Sequence, residues 1–95
     1  MKIVEEGHVY ELDGFDNSDN SSTVTFIKKF DEGSHDGTTN EEVLLMLIDR
    51  MNYLQEKMPC RENTLVITKL EEALHWLFAR TSNRELRGVE GKNIK

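Results

Sequence analysis

The chain is 95 residues long, 37% hydrophobic and 32% charged, with a formal net charge of −6. That length allows one domain at most, near the size where a single core is only marginally stable, and the composition excludes a disordered chain and a membrane protein. The charge is uneven: residues 1–40 hold three lysines against nine acidic side chains, residues 41–95 hold nine of each sign, and from Arg80 onward five basic groups stand against Glu85 and Glu90.

An acidic chain with one compact basic end does not suit a nucleic-acid polymer, whose backbone is held by many cationic contacts along a broad stripe. It suits a small phosphorylated molecule. A small core with long charged side chains in surplus also favours subunits that complete one another's burial, so an oligomer is expected. Cys60 is the single cysteine and closes no internal disulfide, which fits a reducing compartment. Met1-Lys2-Ile3-Val4-Glu5-Glu6 lacks the apolar run of a signal peptide, and a cytoplasmic location is expected.

Residues 1 to about 31 have strand character. Val9-Tyr10-Glu11-Leu12 and Thr23-Val24-Thr25-Phe26-Ile27-Lys28-Lys29-Phe30 are the two runs, the second rich in β-branched and aromatic residues with Val24, Phe26, Lys28 and Phe30 on one face. A turn-forming loop, Asp13 to Ser22, joins them. An isolated hairpin is marginal in water, so this one must lie against other structure. Asp31 to Asn40 is a second polar loop, broken by Gly33, Ser34 and Gly37.

Thr39 and Glu42 then stand at capping-box spacing and open a first helix that runs to about Met58. Val43, Leu44, Leu47, Ile48, Met51, Leu54 and Met58 keep a helical stripe along a rod of roughly 27 Å. Pro59 stops it, because the residue before a proline is pushed out of the helical region. The short link predicts an antiparallel return. A second helix begins near Cys60 to Asn63, with Leu65, Val66, Leu70, Ala73, Leu74, Leu77 and Phe78 as its apolar side, and stops by Gly88, a natural C-cap. The expected fold is α+β: a small N-terminal antiparallel β-hairpin or sheet over 1–31, then a long antiparallel two-helix hairpin over 38–92, in one domain of an oligomer.

Arg80, Arg84 and Arg87 follow i, i+4, i+7, which gathers three guanidinium groups on one helical face. Phosphate oxygens are one partner for such a face; a solvated helix end that complements the dipole is the other reading. Cys60 at a helix start invites a nucleophile hypothesis, but His75 stands 15 residues on along the same helix, and a small buried cysteine is the expectation. His75 and Trp76 cannot both face inward, so one is expected to meet another subunit. His8 and His35 occupy separate polar segments, giving no metal-ligand spacing, and Glu71-Glu72 and Asp16/Asp19 read as solvated acids. Gly88 and Gly91 come after a helix rather than before one, which is not a phosphate-cradling loop.

The ordered words Thr38-Thr39-Asn40-Glu41-Glu42-Val43-Leu44, Tyr53-Leu54, Pro59-Cys60-Arg61-Glu62-Asn63, Thr68-Lys69-Leu70-Glu71-Glu72-Ala73-Leu74-His75-Trp76-Leu77, Ala79-Arg80-Thr81, Arg84 and Arg87-Gly88-Val89-Glu90-Gly91 resemble the phage Thoeris anti-defence sponge family. Its helical hairpin is shared with the anti-CBASS cyclic-nucleotide sponges. The resemblance implies a non-catalytic viral protein of the host cytoplasm that sequesters glycocyclic ADP-ribose, some members also holding cyclic di- or trinucleotides at a separate site. It implies dimers and often hexamers, with pockets between subunits, and no cofactor or metal. Carried residue by residue, it places ligand contacts at Tyr53, Asn63, Arg80 and Arg84: the ring stacks on the adenine and the arginines clamp the phosphates.

The residues alone leave other roles open. Tyr53 borders the Met51–Leu54 stripe and suits a core or dimer interface; Asn63 suits a cap of the second helix. A viral inhibitor that touches a host protein directly, through the acidic N-terminal region, is the alternative function. A signal-degrading enzyme and a DNA-binding module are further rivals, the last disfavoured by the net charge.

Overall fold

The structure, a computed structural model, describes residues 1–17, 19–29 and 32–86. Its contacts gather into two compact units divided between Thr39 and Asn40.

In the first unit, β1 (Lys2–Glu5), β2 (Val9–Leu12) and β3 (Ser22–Thr25) form an antiparallel sheet in the order β1-β2-β3. The expected hairpin is β2–β3, in the register Tyr10↔Val24 and Leu12↔Ser22. The sheet also contains β1, which the sequence reading passed over. A tight turn connects β1 to β2: the His8 N–H donates to the Glu5 carbonyl at 3.0 Å, and Gly7 sits at φ 77°, a conformation a glycine adopts without steric cost. The register slips between Ile3 and Glu5, the mark of a bulge that bends an edge strand. Ile3, Tyr10 and Val24 are cross-strand partners on one face, and the Tyr10 and Phe26 rings meet edge-on with centroids 5.9 Å apart.

β3 ends at Thr25 and does not run on to Phe30. Beyond it the chain is held by two single bridges, Phe26 with Thr38 and Lys28 with His35, because the loop leading to the helices folds back along this edge. The Ile27 N–H donates to the Thr38 carbonyl at 2.9 Å, and the Thr38 N–H to the Thr25 carbonyl at 2.8 Å. Gly37 makes this approach possible, since a Cβ there would lie 2.5 Å from the Thr25 oxygen and 2.6 Å from the Phe26 carbonyl carbon. Phe30 and Asp31 lie outside the described residues.

The second unit is a pair of helices, α1 (Asn40–Lys57) and α2 (Arg61–Leu86). α1 starts directly after Thr39, a residue suited to an N-cap, with Glu41 and Glu42 in its first turn where carboxylates oppose the helix dipole. The half-buried residues of α2 are Asn63, Ile67, Leu70, Leu74, Leu77, Thr81 and Arg84. From Asn63 to Leu77 they alternate spacings of four and three, the 3.5-residue repeat of a coiled-coil seam, and Thr81 and Arg84 continue the spacing beyond it. On α1 the half-buried residues are Glu41, Val43, Leu44, Ile48, Met51, Leu54 and Gln55, among which Leu44, Ile48, Met51 and Gln55 keep the spacing four, three, four.

This narrow seam corrects the apolar side expected for α2. Ile67 takes a place in it, whereas Leu65, Val66, Ala73 and Phe78 are exposed, because a 3.5-residue repeat admits about two positions per two turns and leaves the rest of a wide apolar arc outside. Among the described residues no side chain is fully buried, and no helix is long and apolar enough to cross a membrane. Arg87, the Gly88 cap and the tail to Lys92 lie outside the described residues.

Candidate ligand-binding site

Gln55 locks the turn of the hairpin. Its Oε1 accepts the Cys60 N–H at 3.0 Å and its Nε2 donates to Thr64 Oγ1 at 3.0 Å. The Cys60 carbonyl accepts the Thr64 N–H at 3.4 Å, so Cys60 occupies the N-cap position, and its own N–H is satisfied from α1 by the Gln55 amide oxygen. Cys60 is exposed here, contrary to the buried thiol expected, because the turn lies at the tip of the hairpin rather than in its seam. Asn63 is not a helix cap either: it stands inside the first turn of α2, half-buried, and its Nδ2 donates to the Met58 carbonyl at 3.4 Å.

Tyr53 lies one turn before the end of α1 and is 57% exposed, which places it outside the seam. The Lys57 ammonium sits 5.4 Å from the centre of its ring, a cation–π contact at i+4 spacing. Lys57 was not singled out from sequence; its place one turn after an aromatic was the available signal. It adds a positive charge beside the ring.

Arg80 and Arg84 occupy the other end of the hairpin. With Gln55 level with Thr64, Asn40 fifteen residues back comes level with Ala79 fifteen residues on, so α2 runs past the start of α1 just where the arginines begin. Arg80 is exposed and Arg84 half-buried, one turn apart. Asn63 and Arg80 are seventeen residues apart on one rod, roughly 25 Å along its axis. Within one chain the structure therefore groups Tyr53 with Asn63 near the turn and Arg80 with Arg84 near the far end. A compact nucleotide does not bridge the two groups in a single hairpin.

The first unit carries a separate polar cluster. Glu5 accepts from Lys28 Nζ at 2.7 Å and lies 3.3 Å from His35 Nε2, and the His35 and His8 rings meet edge-on at 6.2 Å. The hydrogen bond from Lys28 holds the Glu5 carboxyl below the usual carboxylate range; burial opposes it, and the Lys28 charge and the His35 contact add smaller lowering effects. Beside it an open depression of about 420 Å³ is lined by Ile27, Lys28, Lys29, Ser34, His35 and Asp36. Its lysine charge is already partly engaged by Glu5, so the cluster reads as a staple between β1 and the return loop. Among the described residues no group of histidine, cysteine and acidic side chains is placed to hold a metal ion.

The sequence of the hairpin matches a known domain. The family described as the Acb2/Tad1 hairpin domain matches residues 22–82, which takes in Tyr53, Asn63 and Arg80 and stops two residues short of Arg84. Thoeris anti-defense 1 of Bacillus phage SBSphiJ7 is 47% identical over 76 residues, 78% of this chain and 54% of the phage protein. The chain thus spans about half the length of that relative. A match over most of the chain, taking in α1, the turn and α2 as far as Ser82, shows that the chain belongs to the Acb2/Tad1 hairpin domain family.

Proposed function

We propose that this protein captures a small cyclic nucleotide signal of bacterial defence, a glycocyclic ADP-ribose, and retains it without cleavage in the host cytoplasm. One observation carries the reading: Arg80 and Arg84 stand one turn apart where α2 outruns α1. Two guanidinium forks at this spacing match adjacent phosphates, each making paired charge-assisted hydrogen bonds. Guanidinium and amide groups bind and orient oxygen atoms but abstract no protons near neutral pH, which favours retention over turnover. Capture of a scarce signal calls for nanomolar affinity, about −12 kcal/mol.

A complete site takes two copies of the chain. Val66, Ala73 and Arg80 follow at seven-residue spacing, so an exposed apolar strip leads along α2 into the arginines. A two-fold pairing centred near Ala73, midway between Asn63 and Arg84, sets the arginines of one copy level with Tyr53 and Asn63 of the other. Such a pairing also covers apolar side chains that one chain leaves open, each worth about 1.5–3 kcal/mol when fully buried. The assembly is a homodimer that extends to a homohexamer, and cyclic di- or trinucleotides are a second ligand class.

The test mixes purified protein with glycocyclic ADP-ribose, filters it, and heats the retained fraction. Depletion of free ligand followed by recovery of the intact molecule supports capture. No depletion, or recovery of an altered nucleotide, refutes it.

A further inference from the structure

Trp76 is the chain's single tryptophan, and it is 66% exposed on α2. It stands one turn before Arg80 and two turns before Arg84, so Trp76, Arg80 and Arg84 follow i, i+4, i+8 as one ridge of the helix surface. Its ring contact among the described residues is an edge-on one with the neighbouring His75, centroids 5.5 Å apart. A large flat π-surface left open beside two cations is an unfavourable use of tryptophan unless something covers it.

We infer that Trp76 belongs to the arginine site as a platform that stacks on the nucleobase of a ligand whose phosphates lie on Arg80 and Arg84. This rests on the capture reading above and adds a residue to it. The chemistry selects a nucleotide over a bare polyphosphate: one turn of helix, roughly 5 Å of axial rise, separates the indole from the first guanidinium. A base and its own phosphates are offset on that scale. Stacking is tolerant of base identity, so Trp76 supplies affinity for the nucleotide class, while discrimination falls to polar groups. It does not replace Tyr53, since a base has two faces and the two rings belong to opposite ends of the hairpin. The rival occupant is a second copy of the chain, with the indole as an apolar anchor between subunits.

The single tryptophan makes the test direct. The wild-type protein is titrated with glycocyclic ADP-ribose and, separately, with inorganic pyrophosphate, following indole emission and calorimetric heat in parallel; W76F and W76A are titrated by calorimetry and weighed by native mass spectrometry. Stacking gives a saturable change of emission with the nucleotide that pyrophosphate does not reproduce. It also gives a W76F variant within a few-fold of wild type, and a W76A variant weakened about 5- to 150-fold at unchanged assembly mass. Calorimetric binding with emission unchanged at saturation overturns the inference, as does wild-type affinity in W76A. Loss of assembly in W76A assigns the indole to a subunit interface and overturns it as well. An absence of any nucleotide heat from the wild type removes the capture reading itself, and this inference with it.

Discussion

Replacing Arg80 by alanine is the sharpest perturbation of the proposed site. Arg80 is exposed and lies where α2 has no α1 residue alongside. Its removal opens no cavity, and alanine is the better helix former. Arg80 stands before the last described turn of α2, so the dipole adds little to the cost of its removal. On a bound phosphate a charge-assisted hydrogen bond is worth about 1.5–3 kcal/mol, so the loss of even one from Arg80 is expected to lower affinity for glycocyclic ADP-ribose at least about 10- to 150-fold. R80K keeps the charge but not the fork, and falls between the two. R84A is expected to weaken capture similarly, but Arg84 is half-buried and engaged elsewhere in the chain, which makes it the less clean probe. If both arginines hold one diphosphate, the double variant loses a different amount from the sum of the single losses. The assay is calorimetry with the ligand, paired with thermal unfolding at equal protein concentration. Wild-type affinity in R80A with an unchanged melt would refute the clamp.

Three other outcomes follow from the geometry. Gly37→Ala drives a Cβ into the backbone of Thr25 and Phe26; it is expected to cost about 1–3 kcal/mol, read as faster amide exchange along residues 25–28, and wild-type exchange would contradict it. The depressed Glu5 pKa stabilises the first unit above the ordinary glutamate value of about 4.3, and this contribution is lost as pH falls through the lower folded value. E5Q should flatten that acid dependence in a pH series of unfolding curves, and an unaltered slope would sink the staple. Gln55→Ala removes the hydrogen bonds to Cys60 and Thr64, with an expected loss of about 1–2 kcal/mol in denaturant unfolding, and an unchanged midpoint would contradict it.

The hairpin was legible because its signals are local and agree: a capping threonine, a proline stop and two apolar periodicities. β1 was not, because Lys2-Ile3-Val4-Glu5 is a four-residue strand with no pattern long enough to count, and its place depends on pairing with β2. The lower half of the run to Phe30 looked like strand by composition, yet the return loop takes its edge at isolated points. On α2 the apolar arc is wider than the seam, so period alone could not choose Ile67 over Leu65 or Val66. Of the candidate site, the arginine pair could be read from spacing and charge. Tyr53 and Asn63 entered through family resemblance, and nothing in their local sequence separates a ligand contact from an interface residue or a turn bond.

The Gln55 bonds to Cys60 and Thr64 have an effect well beyond the bend they close. Two rods meeting through a heptad seam match apolar to apolar at offsets of seven residues, but here the link of Met58, Pro59 and Cys60 is too short for a slide of that size and leaves only small adjustments of register. A polar side chain satisfied at one alignment alone removes that freedom, much as a lone asparagine does in a zipper. How far the cationic end of α2 projects past its companion is thus set at the turn, by the short link and the amide bonds that close it.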